Sequence, residues 1–400
     1  MRLENYAEAL EKCSHCGFCQ ATCPVYLEDL LETHLTRSRI NLIRSALIDK
    51  SLPVTRRVKE IINRCLLCTN CTHTCPGGLP CDEIIAAARA ELGGKSGSAG
   101  AVKKFILRRV LNKRGLAGIM SRVGSTIQKL NIVKAEVPTL AAKPFDSIYS
   151  GTISPKGKIR SRVAYFVGCA SNYIYPDTGE AVVKVLVHNG VEVIIPQGQV
   201  CCGLPAMAEG DLETARNSVS VNMKILAGMQ VDAIVTDCTS CGMMLKVKAA
   251  KVLPGDDPLQ NQVKAVSEKI WEAADYLNTL GLQDQPGPLN ERYTYHVPCH
   301  RAWAPTIVDS PRHLLSAVSG SELVEMENPG KCCGAGGSFF MENRQLSERI
   351  RSHKLEDIAA TGAGTVITQC PSCRFYLGVK LKDRKVMHPL FFLAKSYGLV

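Results

Sequence analysis

Two cysteine runs constrain this chain more than any other feature. Each reads C-x2-C-x2-C-x3-C-P: Cys13, Cys16, Cys19 and Cys23 before Pro24, then Cys65, Cys68, Cys71 and Cys75 before Pro76, every cysteine recurring 52 residues later. Three thiolates so closely spaced can wrap three corners of a cubane, while the short loops turn backbone N–H groups toward its sulfurs. The fourth cysteine of each run reaches the other cluster. This rule assigns one [4Fe–4S] cluster to Cys13, Cys16, Cys19 and Cys75, and a second to Cys65, Cys68, Cys71 and Cys23. Swapped ligands would hold the two clusters close, which suits the passage of single electrons. A structural zinc takes four ligands in two separated pairs, and a doubled run of four matches it poorly. His15 and His73 lie inside the loops, where exposure is expected rather than ligation.

Ten further cysteines form a second duplication. Cys169, Cys201, Cys202, Cys238 and Cys241 recur as Cys299, Cys332, Cys333, Cys370 and Cys373, at offsets of 130 to 132 residues. The flanking sequence repeats too: VAYFVGC matches YTYHVPC, CCGLPA matches CCGAGG, and AIVTDCTSC matches TVITQCPSC. Duplication of one cysteine-bearing unit explains this register. In the first unit, strands are expected over Val163–Val167, Val191–Ile195 and Ala233–Thr236, with helices over Asp177–Asn189 and about Asp211 to Met229. In the second, strands over Tyr293–Val297, Leu323–Met326 and Thr365–Thr368 lead to the cysteines. Alternating β and α elements make a parallel sheet. Ligands bind at the carboxyl ends of such strands, so each set of five cysteines is expected to converge. Gly203, Gly334, Gly336 and Gly337 suit a close backbone approach. Five thiolates exceed what a cubane or a zinc requires, which leaves two readings open: an unusual cluster, or redox-active thiols.

Nineteen cysteines in 400 residues are too many for an ordinary cytoplasmic chain, and disulfides are rare in a reducing compartment. Only Cys81 falls outside both patterns, and a small buried hydrophobe is the expectation there. No apolar run approaches the ~18 residues of a membrane span, and the N-terminus lacks the apolar core of a secretory signal. A cytoplasmic location is therefore expected. The formal net charge is +11, and ten basic residues with no acid lie between Leu92 and Lys134. Within residues 102–130, Val102, Ile106 and Val110 share one helical face, as do Leu116, Met120, Val123, Ile127 and Leu130. Such a basic amphipathic stretch can lie peripherally on the anionic inner face of the cell membrane. The bland alternative is that it packs on the α/β units or a partner subunit. No aromatic interleaving accompanies the charge, so nucleic acid is not an expected partner.

Together these motifs resemble a known arrangement. CGFCQATCP, SRINLIRSAL and RCLLCTNCTHTCP, with helix-like sequence between the runs, are similar to a two-cluster helical ferredoxin. The paired CCG motifs resemble the cysteine-rich CCG domains of heterodisulfide reductases. The whole chain resembles the iron–sulfur subunit of the glycolate oxidase and D-lactate dehydrogenase family, with anaerobic glycerol-3-phosphate dehydrogenase related to it. The resemblance implies a mixed fold: an α-helical ferredoxin domain with two [4Fe–4S] sites (1–92), a basic amphipathic linker (93–160), and two pseudo-symmetric α/β CCG domains with short parallel sheets (161–285 and 286–400). It also implies a noncubane [4Fe–4S] cluster at each CCG motif and an oxidoreductase role as electron-transfer subunit. A partner flavoprotein would hold the hydroxyacid site, and a quinone or another carrier would accept the electrons. The alternative is a heterodisulfide-reductase-like subunit whose CCG clusters reduce a disulfide. The resemblance names no catalytic residue. For His300, beside Cys299, and for His388 a structural role is the expectation.

Overall fold

A computed structural model describes residues 1–93, 106, 108, 112–129, 136–304 and 306–400. Val102, Val110 and Leu130 of the predicted amphipathic faces lie outside these.

The N-terminal residues wind short helices around one buried helix, Cys81–Glu91, which is buried from Cys81 through Arg89. Its small residues, Ala86, Ala87 and Ala88, let neighbours approach closely. Thr36–Ile43 and Arg56–Asn63 pack against it, burying Ile40, Ile43 and Ile62. Thr55 caps the second of these, its side chain accepting from the Val58 N–H. The spacer between the cysteine runs is thus helical, as its periodicity predicts.

The remainder forms two α/β units. In the first, β1 (Gly151–Ile153), β2 (Ser161–Tyr165), β3 (Val191–Ile195), β4 (Ala233–Thr236) and β5 (Ile270–Glu272) make a sheet of order β1-β3-β2-β4-β5. All neighbours pair in parallel except β1, an antiparallel edge on β3. In the second, β6 (Arg292–Tyr295), β7 (Glu322–Leu323), β8 (Thr365–Ile367) and β9 (Lys385–Met387) make an all-parallel sheet of order β7-β6-β8-β9. Without β1, the two sheets share one topology, as the sequence duplication requires.

The predicted β3 and β4 match the observed bounds. The other predicted strands end early: β2 stops at Tyr165 and β6 at Tyr295. There the chain leaves the sheet to reach Cys169 and Cys299. The predicted helices sit at Pro176–His188 and Leu212–Ala227. The Asp211 carboxylate caps the latter, and Gly190 (φ 79°) ends the former. Strands β1, β5 and β9 are additions to the predicted set.

One apolar cluster joins Leu3, Ile40, Ile62 and Ile84 of the N-terminal part to Leu204, Met207 and Met223 of the first unit. Another joins Val25, Leu35 and Leu66 to Phe339, Leu346 and Ile350 of the second. A third runs between the units, from Val163 and Val193 to Tyr293 and Leu393. The cysteine runs are therefore wedged against both α/β units.

The helix Arg114–Lys129 turns its small residues inward. Ala117, Ser121 and Ser125 are buried, whereas Met120, Val123 and Ile127, from the predicted apolar face, are exposed. Among the described residues no helix is long and apolar enough to cross a membrane.

Candidate iron–sulfur sites

The backbone of the two cysteine loops repeats as closely as their sequence. His15 and Gly17 in the first, and Leu67 and Thr69 in the second, all have positive φ, and each pair is 52 residues from the other. These left-handed turns fold the loop back on itself so that its sulfurs point to one side. At φ 64° Thr69 is strained, and its side chain is held at both ends of the turn. Its hydroxyl donates to the Cys299 carbonyl (3.2 Å) and pairs with His73 Nε2 (3.0 Å). A loop of the N-terminal repeat is thereby fastened to a cysteine loop of the second α/β unit. His15 and His73 are exposed, as expected.

Three cavities gather every cysteine except Cys201. The first is lined by Cys13, Cys16, Cys19, Cys75, Cys71 and Cys81, and it opens to solvent beside exposed Cys16. The second is lined by Cys23, Cys65, Cys68 and Cys71. Cys71 is common to both. The third, about 160 Å³, is lined by Cys68 together with four cysteines of the first unit and all five of the second. Cys68 is common to the second and third. Cys81, which its spacing marked only as a buried hydrophobe, is buried but places its thiol within hydrogen-bonding reach of Cys71.

Two buried arginines fix the loop that carries Cys65. Arg39 donates to the carbonyls of Ile61 (3.0 Å) and Arg64 (2.7 Å). Arg89 donates to those of Cys65 (2.6 Å) and Asn63 (3.1 Å), and across to Ala208 (2.7 Å) of the first unit. Nearby, Lys248 forms a buried triad with Asp82 (2.7 Å) and Glu83 (2.8 Å), and Tyr6 donates to Glu83 (2.9 Å).

Each set of five cysteines converges, with its sulfurs in the same order of contact. Cys169 meets Cys201 at 3.9 Å, Cys201 neighbours Cys202, and Cys241 lies beside both Cys202 and Cys238. In the second unit Cys299 meets Cys332, Cys332 neighbours Cys333, and Cys373 lies 3.3 Å from Cys333 and beside Cys370. Gly203 (φ 95°) and Gly334 (φ 88°) let the CCG turn pass under the following helix. A Cβ at Gly334 would stand 2.7 Å from the Ser347 carbonyl oxygen.

Crowding separates the thiols in acidity. Hydrogen bonds from Cys201 and Cys241 push Cys202 down to about 6. Those from Cys332 and Cys373 hold Cys333 well below the ordinary value, and Cys373 pushes Cys370 down to about 6. Their partners move up: Cys241 through Cys202, Cys373 through Cys333, Cys169 through Cys201, and Cys299 through Cys332. Some thiols must keep protons for the others to lose them. Five thiolates side by side need a compensating cation charge, and soft sulfur donors select iron–sulfur groups or zinc. The donor set therefore fits the clusters that the motifs imply.

Behind the third cavity a buried polar chain ties the units together. Tyr295 donates to Gln369 (2.5 Å), Gln369 to Glu272 (2.7 Å), and His388 Nε2 lies 3.0 Å from Glu272. Glu272 and His388 cap the helices Ala273–Leu280 and Pro389–Ser396, at equivalent places in the two units. His388 thus links the two units while capping a helix. His300 is held at both nitrogens, with Nδ1 2.9 Å from the Ser240 hydroxyl and Nε2 3.0 Å from the Leu67 carbonyl.

Known proteins share this architecture. A family described as a 4Fe-4S dicluster domain matches residues 9–79, and one described as a cysteine-rich domain matches 163–246 and 293–378. One subunit of the fumarate reductase (CoM/CoB) of Methanothermobacter marburgensis is 29% identical over 99% of this chain and 74% of its own length. The "probable glycolate oxidase iron-sulfur subunit" of Bacillus subtilis is 27% identical over 91% of this chain and 87% of its own. "Lactate utilization protein A 2" of Bacillus cereus is 32% identical over 59% of this chain and 98% of its own. A crystal structure of a hypothetical protein from Helicobacter pylori superposes with a TM-score of 0.59 over 99% of this chain and 76% of that one, at 10% identity, a likeness of fold.

Fold and site together define an iron–sulfur protein that joins a ferredoxin-type dicluster module to paired CCG domains. The chain belongs to the family that includes lactate utilization protein A and the iron–sulfur subunit of glycolate oxidase. Two of the three relatives are named as subunits of a reductase or an oxidase, so a general redox role follows.

Proposed function

We propose that this chain is the electron-transfer subunit of a flavin-dependent 2-hydroxyacid dehydrogenase, of the glycolate or D-lactate type. The observation that carries the reading is the shared lining of the three cavities. Cys71 stands between the first and second, and Cys68 between the second and third. Two [4Fe–4S] clusters, one on Cys13, Cys16, Cys19 and Cys75 and the other on Cys65, Cys68, Cys71 and Cys23, would form a relay. It runs from the surface at Cys16 to noncubane clusters on the two five-cysteine sets. Electrons would leave a partner's flavin and end on a quinone or another carrier. The division of the chain at residues 92, 160 and 285 belongs to this reading. So does peripheral membrane contact through the outward apolar stripe of the Arg114–Lys129 helix, which Lys113 and Arg122 flank.

Anaerobic purification of the chain expressed with its neighbouring genes tests the reading. A stable complex that contains flavin and oxidises glycolate or D-lactate is expected, and a stable complex without flavin would overturn it. Binding to anionic but not neutral vesicles is the result expected of the helix.

A second reading has its own observation. The third cavity is lined by cysteines of both α/β units and by apolar residues such as Leu204, Met207 and Met243, a setting in which the CCG clusters could reduce a disulfide substrate. Disulfide turnover by the chain with a chemical reductant, lost in Cys332→Ala, would favour it over the first.

A further inference from the structure

His296 stands just past β6, three residues before Cys299 of the second CCG site. The residue is 1% exposed, and neither Nδ1 nor Nε2 has a hydrogen-bond partner. A buried polar group left without a partner costs about 1–3 kcal/mol, so an imidazole with both nitrogens orphaned calls for a ligand. A ring nitrogen, the Cys333 sulfur and the Cys373 sulfur all lie within 4.8 Å of one another. The two sulfurs are themselves 3.3 Å apart.

The first unit lacks this group. In the aligned stretches YTYHVPC and VAYFVGC the place of His296 is taken by Phe166, which is fully buried. A phenyl ring fills the same space and offers no lone pair. Five cysteines are common to both sites, and the sixth neighbour differs. His300, the other histidine at this site, has both nitrogens satisfied by Ser240 and Leu67 and is not available.

We propose that His296 supplies a nitrogen ligand to iron at the second CCG site, beside Cys333 and Cys373, and that the first site is ligated by sulfur alone. This rests on the reading that the second set of cysteines holds an iron–sulfur group. Where a neutral imidazole takes an iron position that an anionic thiolate holds in the first site, it raises the potential of the centre, as in iron–sulfur groups whose histidines replace cysteines. The second site is then the more oxidising of the two. It is also the one that Cys68 of the ferredoxin-type repeat touches, so electrons arriving through that repeat collect there.

The test is pulsed EPR on the full chain, prepared anaerobically with 15N-histidine and poised to make the second site paramagnetic. A strongly coupled histidine nitrogen is expected in the wild type, absent in His296→Phe and retained in His300→Gln. Phenylalanine is the chosen replacement because Phe166 shows that the fold accepts it, and the cubane signals report whether the variant has folded. His296→Gln, a smaller change in polarity, serves as a second variant and should lose the coupling too. Absence of the coupling in the wild type, or its survival in His296→Phe, overturns the proposal. If Cys333→Ala lowers the iron content while the wild type shows no coupled nitrogen, the histidine ligand alone is wrong. If Cys333→Ala leaves iron unchanged, the cluster reading beneath it fails as well.

Discussion

The Cys68 thiol lies within hydrogen-bonding reach of Cys332, although 264 positions separate them. A cysteine proposed to hold the second cubane and a cysteine of the second CCG set therefore sit side by side. With both groups reduced, their spins should interact and broaden the EPR signal of the second cubane. Cys332→Ala is expected to lower iron content and sharpen that signal, leaving the first cubane's signal unchanged. A second-cubane signal indifferent to Cys332→Ala would separate the two sites electronically.

Arg89 holds four backbone carbonyls, at Ile62, Asn63, Cys65 and Ala208, from a position 1% exposed. One side chain thereby spans from the loop that carries Cys65 to the first α/β unit. Arg89→Met removes a charged donor and strands buried acceptors, at a cost of about 3 kcal/mol, to be read from denaturant unfolding under anaerobic conditions. It also removes a positive charge beside Cys65, whose thiol is pushed up by burial and down by Arg39 and Arg89. The potential of the second cubane should fall, since net charge near a cluster sets it. Redox titration followed by EPR checks the direction.

Lys248, Asp82 and Glu83 form a triad that is buried at all three members. Lys248→Met leaves two carboxylates facing each other without a cation, a loss of about 3–5 kcal/mol. Glu83→Gln added to it should recover part of that loss. Burial alone would push the Lys248 amine down, but Asp82 and Glu83 outweigh it and the net direction is up. A raised value means that the folded chain holds the proton more tightly than the unfolded one. The stabilisation is complete below the unfolded lysine value of about 10.4 and declines as pH rises through the higher folded value. Melting curves should be insensitive to this triad between neutral pH and about 10, then fall at higher pH in the wild type and not in Lys248→Met.

Much of this was legible in the sequence, and the legible part has a physical reason. Val191–Ile195 and Ala233–Thr236 are short runs rich in β-branched residues, bounded by Gly190 and Pro196 and by Asp232 and Asp237, so their strands could be bounded from sequence. Duplicated cysteines at strand ends had to converge because parallel strands end on one edge of a sheet. The strands β5 and β9 were invisible because each is three residues long and runs straight into a helix with the same apolar pattern. For Arg114–Lys129 the apolar periodicity was plain, but it left open whether that face packs on the α/β units or faces outward, and the structure turns it outward. Small residues fit where the helix meets Ala141 and Tyr173, and the large ones stay outside. Cys81 and His296 each stood out only as a departure from a repeat, and the thiols that give each a role are brought beside it by the fold.

Trp303 joins the two CCG loops tightly. Its indole N–H donates to the Thr239 carbonyl of the first unit (2.9 Å) and lies 3.1 Å from the His300 carbonyl of the second. Thr239 follows Cys238 and His300 follows Cys299, so one side chain couples a cysteine loop of each unit. The ring lies directly on Gly242, where an added Cβ would come within 2.2 Å of Trp303 Cζ2. Neither the helix Thr239–Met243 nor a 7%-exposed indole can move aside freely. Gly242→Ala should therefore destabilise by about 1–3 kcal/mol through overpacking. It should disturb the iron–sulfur spectra of both CCG sites together while sparing the cubane proposed beside exposed Cys16. Trp303→Phe keeps most of the packing and loses the indole N–H, so it should cost about 1 kcal/mol. In the double variant the smaller ring should relieve part of the Gly242→Ala strain. If the two single losses simply add, the contact between Gly242 and Trp303 does not couple the loops.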